Sequence, residues 1–334
     1  MDVLIFGDGP AARLAAIALA GLGLRVVRAL PRPGLGPPPT TRHTHVVART
    51  VLPSAAAIDA GLAQEITARI APDCLWRQLT GDGCTEYTEP HISRAAIDSA
   101  LAVCLARRPL EAWRDVTLTG RCGTRLSARS AAGAGVFDLV IDATGAHRAT
   151  RAMLAPFAPA ARLEDDGPVR LYQTYELALP APQPLLHWSG PAVEGPTRAL
   201  YGDFDGRRMR ITAALGRGAP RIATLDDVAR AVHPQVAALI PKGARLVRRT
   251  ATIAPNYRRL RVPEAEMPNW IALGDARSQW PPRLGTGLSA LFRQCRILQE
   301  TLAGGGTPQE ARTAIDTWLD TEWDKQMTLS AHLR

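Results

Sequence analysis

The sequence predicts an α/β protein in which the two ends of the chain build a parallel sheet and the middle adds an antiparallel β layer. Three observations favour this fold. The first 32 residues follow the order strand, glycine turn, helix, strand. Two later apolar runs, Val136–Ile141 and Trp270–Leu273, have the nearly continuous hydrophobicity of buried parallel strands. Residues 156–196 are rich in proline, and short β-prone runs separated by turns lie within this segment and after it, as is typical of an antiparallel layer.

The N-terminal unit turns through the sequence GDGPAA, from Gly7 to Ala12, between an apolar strand and a helix. Such a turn brings the free N–H groups of a helix N-terminus up to a pyrophosphate, with Gly7 making the tight turn and Gly9 letting the phosphates approach. Ala12 replaces the third glycine of the G-x-G-x-x-G pattern, a change that the pattern tolerates. The unit predicts a Rossmann-like dinucleotide site, although an ordinary βαβ unit without a ligand has the same pattern.

The second strand of this unit ends without the expected acid. In dinucleotide-binding units an Asp or Glu at this position holds the adenosine ribose hydroxyls, and here the position is Leu30. The next carboxylate along the chain is Asp59. The nucleotide is therefore expected to be held weakly at its ribose or to be held there by another residue.

The chain is large enough for an extensive core, since 46% of its 334 residues are hydrophobic. Its formal net charge of +9 is carried almost entirely by arginine, because Lys242 and Lys325 are the only lysines. The arginines are scattered, with no dense basic run and no interleaved aromatic residues, so nucleic acid is not expected as a partner. An anionic cofactor or an acidic partner suits this charge better.

The five cysteines include no C-x-x-C pair, which argues against a disulfide framework and against a zinc site. We therefore expect a reducing, cytoplasmic setting. The apolar N-terminus lacks the positive region of a signal peptide and is interrupted by Asp8 and Arg13. No stretch reaches membrane-spanning length without a charge, so no membrane association is expected.

Local signals also place the connecting elements. The segment Cys74–Pro90 alternates and breaks at Gly81–Gly83, which predicts a hairpin. Ser93 is a candidate N-cap for a helix that runs to Arg107. Two further helices are expected near the C-terminus, over Leu288–Leu302 and Pro308–Leu329.

In the middle of the chain, strands are predicted at Val169–Leu179, Arg198–Phe204 and Met209–Leu215. The dipeptide Asp205-Gly206 separates the last two of these segments and predicts a hairpin turn between them. This part of the sequence therefore indicates an antiparallel layer inserted between two parts of the nucleotide-binding unit.

Three motifs now follow one another along the chain: the glycine turn at Gly7–Ala12, Asp-Ala-Thr-Gly at Asp142–Gly145, and the stretch Gly274–Gly287. Each follows an apolar strand, where doubly wound folds place their ligands. The order and spacing resemble those of the FAD-dependent monooxygenases of the p-hydroxybenzoate hydroxylase type, a group that includes flavin-dependent halogenases. The resemblance implies a discontinuous FAD-binding domain, residues 1–151 and 268–334, around a substrate domain of residues 152–267.

The resemblance also implies roles for individual residues. The turn residues from Gly7 to Ala12 would lie against the FAD pyrophosphate, Arg94 would approach the cofactor phosphates, and Asp275 would accept a hydrogen bond from the ribityl or ribose hydroxyls. Asp142 and Gly145 would support both FAD and the nicotinamide donor. The backbone of the Gly-Thr-Gly stretch would approach the flavin pyrimidine edge, where a helix N-terminus stabilises negative charge. The cofactor-binding residues expected from the resemblance are Gly7, Gly9, Pro10, Ala11, Ala12, Arg42, Arg94, Asp142, Gly145, Asp275, Gly285, Thr286 and Gly287.

The activity implied by the resemblance is hydroxylation of an aromatic substrate. NAD(P)H would reduce the FAD, which would react with oxygen to a hydroperoxide and transfer hydroxyl to the substrate. His45 is the first candidate for a general base, because the segment from Arg42 to His45 follows the second strand and should reach the flavin side. His43 and His45 would share one face of an extended segment, where they could equally be solvated or structural. Halogenation is disfavoured, because the lysine and the tryptophan-rich signature of the halogenases are missing.

Two other functions remain open at this stage. One is a flavoprotein that hydroxylates a tryptophan of a partner protein during maturation of a quinone cofactor, which some relatives of this fold do. The other is a non-catalytic protein with a degenerate FAD fold that binds a partner, and Leu30 is the residue that favours it. Retention of FAD by the purified protein would separate the enzymes from the binding protein. The sequence predicts no oligomeric state.

Overall fold

The computed structural model describes most of the chain. The described residues are 1–31, 50–80, 83–145, 152, 155–190, 197–215, 224–231, 234–263, 266–280 and 286–332. Three of the predicted site residues, Arg42, His45 and Gly285, lie outside the described residues.

The described strands and helices occur in the following order along the chain. The strands are β1 (Asp2–Phe6), β2 (Arg25–Leu30), β3 (Ala71–Thr80), β4 (Gly83–His91), β5 (Glu111–Arg114), β6 (Thr117–Cys122), β7 (Arg125–Ser130), β8 (Gly133–Phe137), β9 (Leu139–Asp142), β10 (Arg162–Gly190), β11 (Thr197–Leu215), β12 (Arg245–Arg261), β13 (Trp270–Ala272) and β14 (Ser278–Gln279). The helices are α1 (Pro10–Ala20), α2 (Val51–Ile58), α3 (Ala60–Thr67), α4 (Arg94–Ala106), α5 (Leu225–Ala231), α6 (Pro234–Leu239), α7 (Thr286–Ala303) and α8 (Pro308–His332).

The first sheet is parallel throughout and has five strands in the order β13-β9-β1-β2-β5. It confirms the predicted α/β class with strands from both ends of the chain. Alternate side chains of the sheet enter two separate cores, as the period of two along a strand requires. On one face Val3, Ile5 and Ile141 pack under helices that include α1, α4 and α7. On the other face Leu4 and Val140 pack against the three-stranded antiparallel sheet β6-β7-β8.

The second sheet confirms the predicted antiparallel layer in the middle of the chain. Strand β10 lies at its centre and pairs antiparallel with β11 and β12. One face is apolar, and Tyr175, Ile211 and Trp188 pack there with Val228 of α5 and Val236 of α6. The register puts the intervening, mostly polar residues on the opposite face.

The hairpin predicted within Cys74–Pro90 is confirmed by the antiparallel pairing of β3 with β4. The sequence did not predict the neighbour of this hairpin in the sheet: β3 pairs in parallel with β10 of the second sheet. The hairpin therefore belongs to the middle sheet although it lies within residues 1–151, which the sequence assigns to the FAD-binding domain. The division into domains itself stays a prediction.

The hairpin predicted at Asp205-Gly206 is wrong. Strand β11 runs without interruption through both residues, and both of its halves pair with β10. The register slips instead on β10, between Ala178 and Gln183. Prolines 180 and 182 lie in this stretch and have no N–H to give to the ladder, so β10 bulges there while β11 continues.

The run Val136–Ile141, predicted as one buried strand, is divided at Asp138. Its first part ends β8 in the three-stranded sheet, and its second part is β9 of the parallel sheet. Asp138 fixes the transition with two bonds to Asp2, since its backbone N–H donates to the carbonyl of Asp2 at 2.8 Å and its Oδ2 accepts from the Asp2 N–H at 2.7 Å. A polar residue inside an apolar run therefore marks the change of sheet.

The C-terminal helix α8 is tied to the body of the protein by buried arginines. Arg277, just after the parallel sheet, donates from Nε to Asp316 of α8 at 2.9 Å. Arg312 of α8 donates to the backbone carbonyls of Val262 and Met267. These bonds satisfy charged groups that are 7% and 6% exposed, so α8 is a structural part of the fold. Among the described residues, no helix is long and apolar enough to cross a membrane.

Candidate functional site

The glycine turn and the Asp-Ala-Thr-Gly motif lie in direct contact. Gly7 follows β1 with φ of +120°, and a Cβ at this position would lie 2.5 Å from the carbonyl oxygen of Ala143. The backbone N–H of Ala143 also donates to the carbonyl of Phe6 at 3.0 Å. Only glycine allows two strand ends to approach this closely, so the two motifs form one surface at the carboxyl edge of the sheet.

Asp142 shapes this edge from within. Its side chain is fully buried, and its Oδ1 accepts hydrogen bonds from the Thr144 backbone N–H at 3.1 Å and from the Thr144 hydroxyl at 2.8 Å. This Asx-type turn directs the chain toward Gly145, whose φ is +71°. Asp142 thus holds the turn, and the predicted contact of its carboxylate with a cofactor stays a prediction.

The third motif joins the same edge through Gly274. This residue follows β13 with φ of +59°, and a Cβ there would lie 3.3 Å from the Cβ of Ala11 in helix α1. Its N–H donates to the buried side chain of Gln294 in helix α7 at 2.8 Å. The next residue, Asp275, is exposed at the start of a short 3-10 turn. The ends of β1, β9 and β13 therefore converge where the sequence predicts a dinucleotide.

Helix α1 starts at this edge with its first turn uncapped by any side chain. Gly9 is the N-cap, Pro10 is the first helical residue, and no acidic residue lies in the first turn. A Cβ at Gly9 would meet no atom of the described residues within 4 Å. Ala12 lies in the first turn of α1 and is fully buried, so a small residue fits there in place of the third glycine of the pattern. Free N–H groups beside open space suit a pyrophosphate.

Helix α7 offers a second N-terminus. Its first residue is Thr286, and Gly287 follows in the first turn. The Oγ1 of Thr286 is buried and has no hydrogen-bond partner in the described part of the chain. A buried hydroxyl without a partner is unfavourable, so a ligand group that pairs with it would bind better for that reason.

Arg94 begins helix α4, whose start is capped by Ser93 accepting from the Ala96 N–H at 3.0 Å. This confirms the predicted cap. Arg94 donates through its Nε to Asp98 of the same helix at 3.1 Å. Helix α4 packs against α1, and the predicted contact of Arg94 with the cofactor phosphates stays a prediction.

Sequence reasoning missed an ion cluster at the glycine turn. Oδ1 of Asp8 accepts from Arg28 of β2 at 2.5 Å and from Arg13 of α1 at 3.4 Å. Burial lowers the pKa of Arg28, whose Nε is buried without a partner. The sequence held two signals for this cluster: an acid inside the turn, Asp8, and an arginine two residues before the end of β2, Arg28.

A second missed group lies where the middle sheet meets the parallel-sheet part. His187 of β10 and His91 at the end of β4 have ring centroids 3.8 Å apart, and Trp76 of β3 stacks on His187 at 4.8 Å. His187 is 2% exposed, and neither of its ring nitrogens has a hydrogen-bond partner among the residues that the structure describes. Burial, His91 and Arg210 lower its pKa to about 3, so the ring is neutral.

Asp203 extends this polar face of the sheet beside His187, its register partner on β11. Its Oδ1 accepts from the Nε of Arg210 at 2.7 Å. Further along the same face, the hydroxyls of Thr174 and Thr212 are bonded to each other at 2.8 Å and are buried. No sequence signal joins these residues, because only strand register brings them together. Among the described residues, no group of His, Cys, Asp and Glu is arranged to hold a metal ion.

Comparisons with known proteins agree with this architecture. No protein-family model and no curated protein matches the sequence. Solved structures do match, among them the flavin-dependent brominase Bmp2, with 15% identity, a TM-score of 0.67 and coverage of 95% of this chain and 83% of that one. The tetracycline destructase Tet(51) has 13% identity and a TM-score of 0.64 over 98% of this chain and 88% of its own. The peptidyl tryptophan dihydroxylase QhpG has 19% identity and a TM-score of 0.62, with coverage of 94% of this chain and 71% of its own.

The chain has the fold of the flavin-dependent monooxygenases. At these identities the likeness is one of fold, and activity has to be argued from the site. The residues at the edge of the parallel sheet fit the pyrophosphate of a dinucleotide, because the first turn of α1 is uncapped and the position of a Cβ at Gly9 is open. At the start of α7, the buried Thr286 hydroxyl has no partner among the described residues and is available to a ligand group.

Proposed function

We propose that the chain is an FAD-dependent monooxygenase that hydroxylates an aromatic substrate and takes its electrons from NAD(P)H. The observation that carries this proposal is the convergence of three strand ends, with Gly7 against Ala143 and Gly274 against Ala11. The p-hydroxybenzoate hydroxylase type is the proposed relationship within this fold.

In this proposal the N-terminus of α1 holds the FAD pyrophosphate on N–H groups of its first turn. The N-terminus of α7, with Thr286 and Gly287, lies at the pyrimidine edge, where its dipole stabilises negative charge on the ring. Asp142 positions the turn that precedes Gly145, and Asp275 is exposed for a hydroxyl of the cofactor. Bound FAD would supply the redox chemistry that activates oxygen.

The middle sheet would present its polar face to the substrate. Trp76 offers an aromatic surface, and the buried rings of His91 and of His187, which is neutral, pack against it. Such a face favours a planar substrate with a phenolic or indole donor over a strongly charged one. His45 remains the proposed general base.

One comparison favours a second candidate, in which the substrate is a tryptophan of a partner protein. QhpG, described as a peptidyl tryptophan dihydroxylase essential for tryptophylquinone cofactor biogenesis, shares the fold over 94% of this chain. An open site would be needed to admit a protein segment. A closed pocket around a small molecule would favour the first candidate.

The experiment is FAD titration of the purified protein followed by anaerobic reduction with NADH and with NADPH. Stoichiometric FAD binding and bleaching of the flavin absorbance by either nicotinamide are expected. Oxygen-dependent NAD(P)H oxidation should then rise on addition of a phenol or an indole, with a product heavier by one oxygen atom. A protein that takes up no added FAD would overturn both enzymatic candidates and leave the partner-binding alternative.

A further inference from the structure

We propose that Asp8, held by Arg28, binds the adenosine ribose in place of the acid that is missing at Leu30. This inference rests on the proposed function, since it requires FAD at the glycine turn. The carboxylate that binds the ribose would then lie in the glycine turn, whereas dinucleotide-binding units have it at the end of the second strand.

The position of Asp8 carries the first step. It lies between Gly7 and Gly9, in the turn that faces the pyrophosphate site. In FAD the adenosine ribose is bonded directly to the pyrophosphate, so it would lie beside this turn. Its side chain is 44% exposed, whereas that of Arg28 is 12% exposed. An accessible carboxylate at the turn is thus fixed in place by a largely buried arginine of the neighbouring strand.

The two oxygens of Asp8 are used unequally. Both Arg28 and Arg13 donate to Oδ1, at 2.5 and 3.4 Å, and no described residue donates to Oδ2. A ribose needs an acceptor for its hydroxyl hydrogens, and a charged acceptor makes the stronger bond. The geometry leaves Oδ2 for that bond while Oδ1 keeps the side chain in one orientation.

The register of β2 links this arrangement to the missing acid. Arg28 and Leu30 are two residues apart on the strand, so their side chains leave the same face of the sheet. Arg28 therefore brings Asp8 to the side of the strand on which an acid at position 30 would act. The arginines also offset the repulsion that a lone carboxylate would exert on a pyrophosphate.

The test compares ADP with 2′-deoxy-ADP and 3′-deoxy-ADP as competitors of FAD, for the wild-type protein and Asp8→Asn. The wild-type protein should prefer ADP to at least one deoxy analogue by about tenfold, the loss expected for one hydrogen bond to a charged group. In Asp8→Asn this preference should fall to about twofold or less. A thermal melt checks that the variant is folded.

Asp2→Asn is the matched control, because Asp2 also pairs with an arginine of β2, Arg25, at 2.9 Å, but at the opposite end of the strand. It should leave the ribose preference unchanged. Equal binding of ADP and both deoxy analogues by the wild-type protein, or an unchanged preference in Asp8→Asn, would overturn the inference while FAD binding upholds the proposed function. Tighter binding of 2′,5′-ADP than of ADP would also overturn it, since it would make the arginines a phosphate site. Failure of the wild-type protein to bind either FAD or ADP would overturn both proposals.

Discussion

Gly7 and Ala143 meet so closely that any side chain at position 7 would collide with the Ala143 carbonyl, 2.5 Å from the position of its Cβ. The contact joins the first strand of the chain to a strand more than a hundred residues later. It fixes the surface on which the proposed cofactor lies. It also distinguishes Gly7 from Gly9, although the two glycines look equivalent in the sequence.

Gly7→Ala should destabilise the fold, whereas Gly9→Ala should affect only the ligand. At Gly7 the positive φ and the backbone collision together should cost about 2 kcal/mol or more in the free energy of unfolding. At Gly9, where φ is −76° and a Cβ meets open space, the cost should stay below about 1 kcal/mol. FAD affinity should nevertheless fall about tenfold in Gly9→Ala, because the methyl group occupies the space for the phosphates. Urea unfolding measures the stability of both variants, and FAD titration measures their affinity for the cofactor. Equal losses of stability in the two variants would contradict the prediction.

Leu30→Glu, made in the Asp8→Asn background so that Asp8 does not already supply the acceptor, should tighten FAD if the adenosine ribose lies at the end of β2. The structure confirms Leu30 as the last residue of that strand. A carboxylate there adds an acceptor for a ribose hydroxyl, and a gain of a few fold is expected, or about 1 kcal/mol. FAD titration of the apoprotein measures it. An unchanged or weaker affinity would show that the placement of the adenosine is wrong.

Stability should fall as the pH drops from about 7 to 5, with His187 as a main cause. The pKa of this residue is about 3 in the folded protein against 6.5 for a free histidine, so the unfolded chain binds the proton first. The contribution is complete above pH 6.5 and is lost progressively as the pH falls from there toward 3. One such group adds at most about 1.4 kcal/mol per pH unit.

His187→Phe keeps a buried ring and removes the proton site, so it should flatten this pH dependence. Chemical unfolding between pH 5 and 7 is the measurement. In this window the carboxylates with lowered pKa, Glu65, Glu111 and Glu164, stay mostly ionised in both states, so each contributes less than His187. The same slope in the variant and in the wild-type protein would exclude His187 as the source.

Arg277→Met should destabilise the protein far more than Arg296→Met. Arg277 is 9% exposed at its side chain and pairs closely with Asp316 of α8, so its loss leaves this partly buried carboxylate with only its longer pair to Arg312 at 3.9 Å, at a cost of about 2 kcal/mol or more. Arg296 pairs with Glu300 one turn along the surface of α7 and should cost about 0.5 kcal/mol or less. Denaturant midpoints of the two variants provide the comparison. Similar losses would contradict a structural role of the Arg277 pair.

Local features of the fold could be predicted wherever a short stretch of sequence determines them. The strand, turn and helix at the N-terminus, the cap at Ser93 and the helix that begins at Pro308 follow from hydrophobic period and capping chemistry. The hairpin at Asp205-Gly206 was wrong, because its turn residues lie within a strand whose partner, β10, absorbs the irregularity at its prolines. Turn propensity acts locally, and pairing with a neighbouring strand overrode it there.

The sequence by itself determined the α/β class, the layer inserted between the two ends and the three motifs of the candidate site. The tertiary structure alone decided which residues meet: Gly7 with Ala143, Asp8 with Arg28, and His187 with His91. The physical reason is that backbone conformation depends on neighbours along the chain, whereas contacts across a sheet depend on strand order and register. These are set by the packing of the whole core, in which β9 lies between β1 and β13 although the chain reaches β9 and β13 only after β2 and β5.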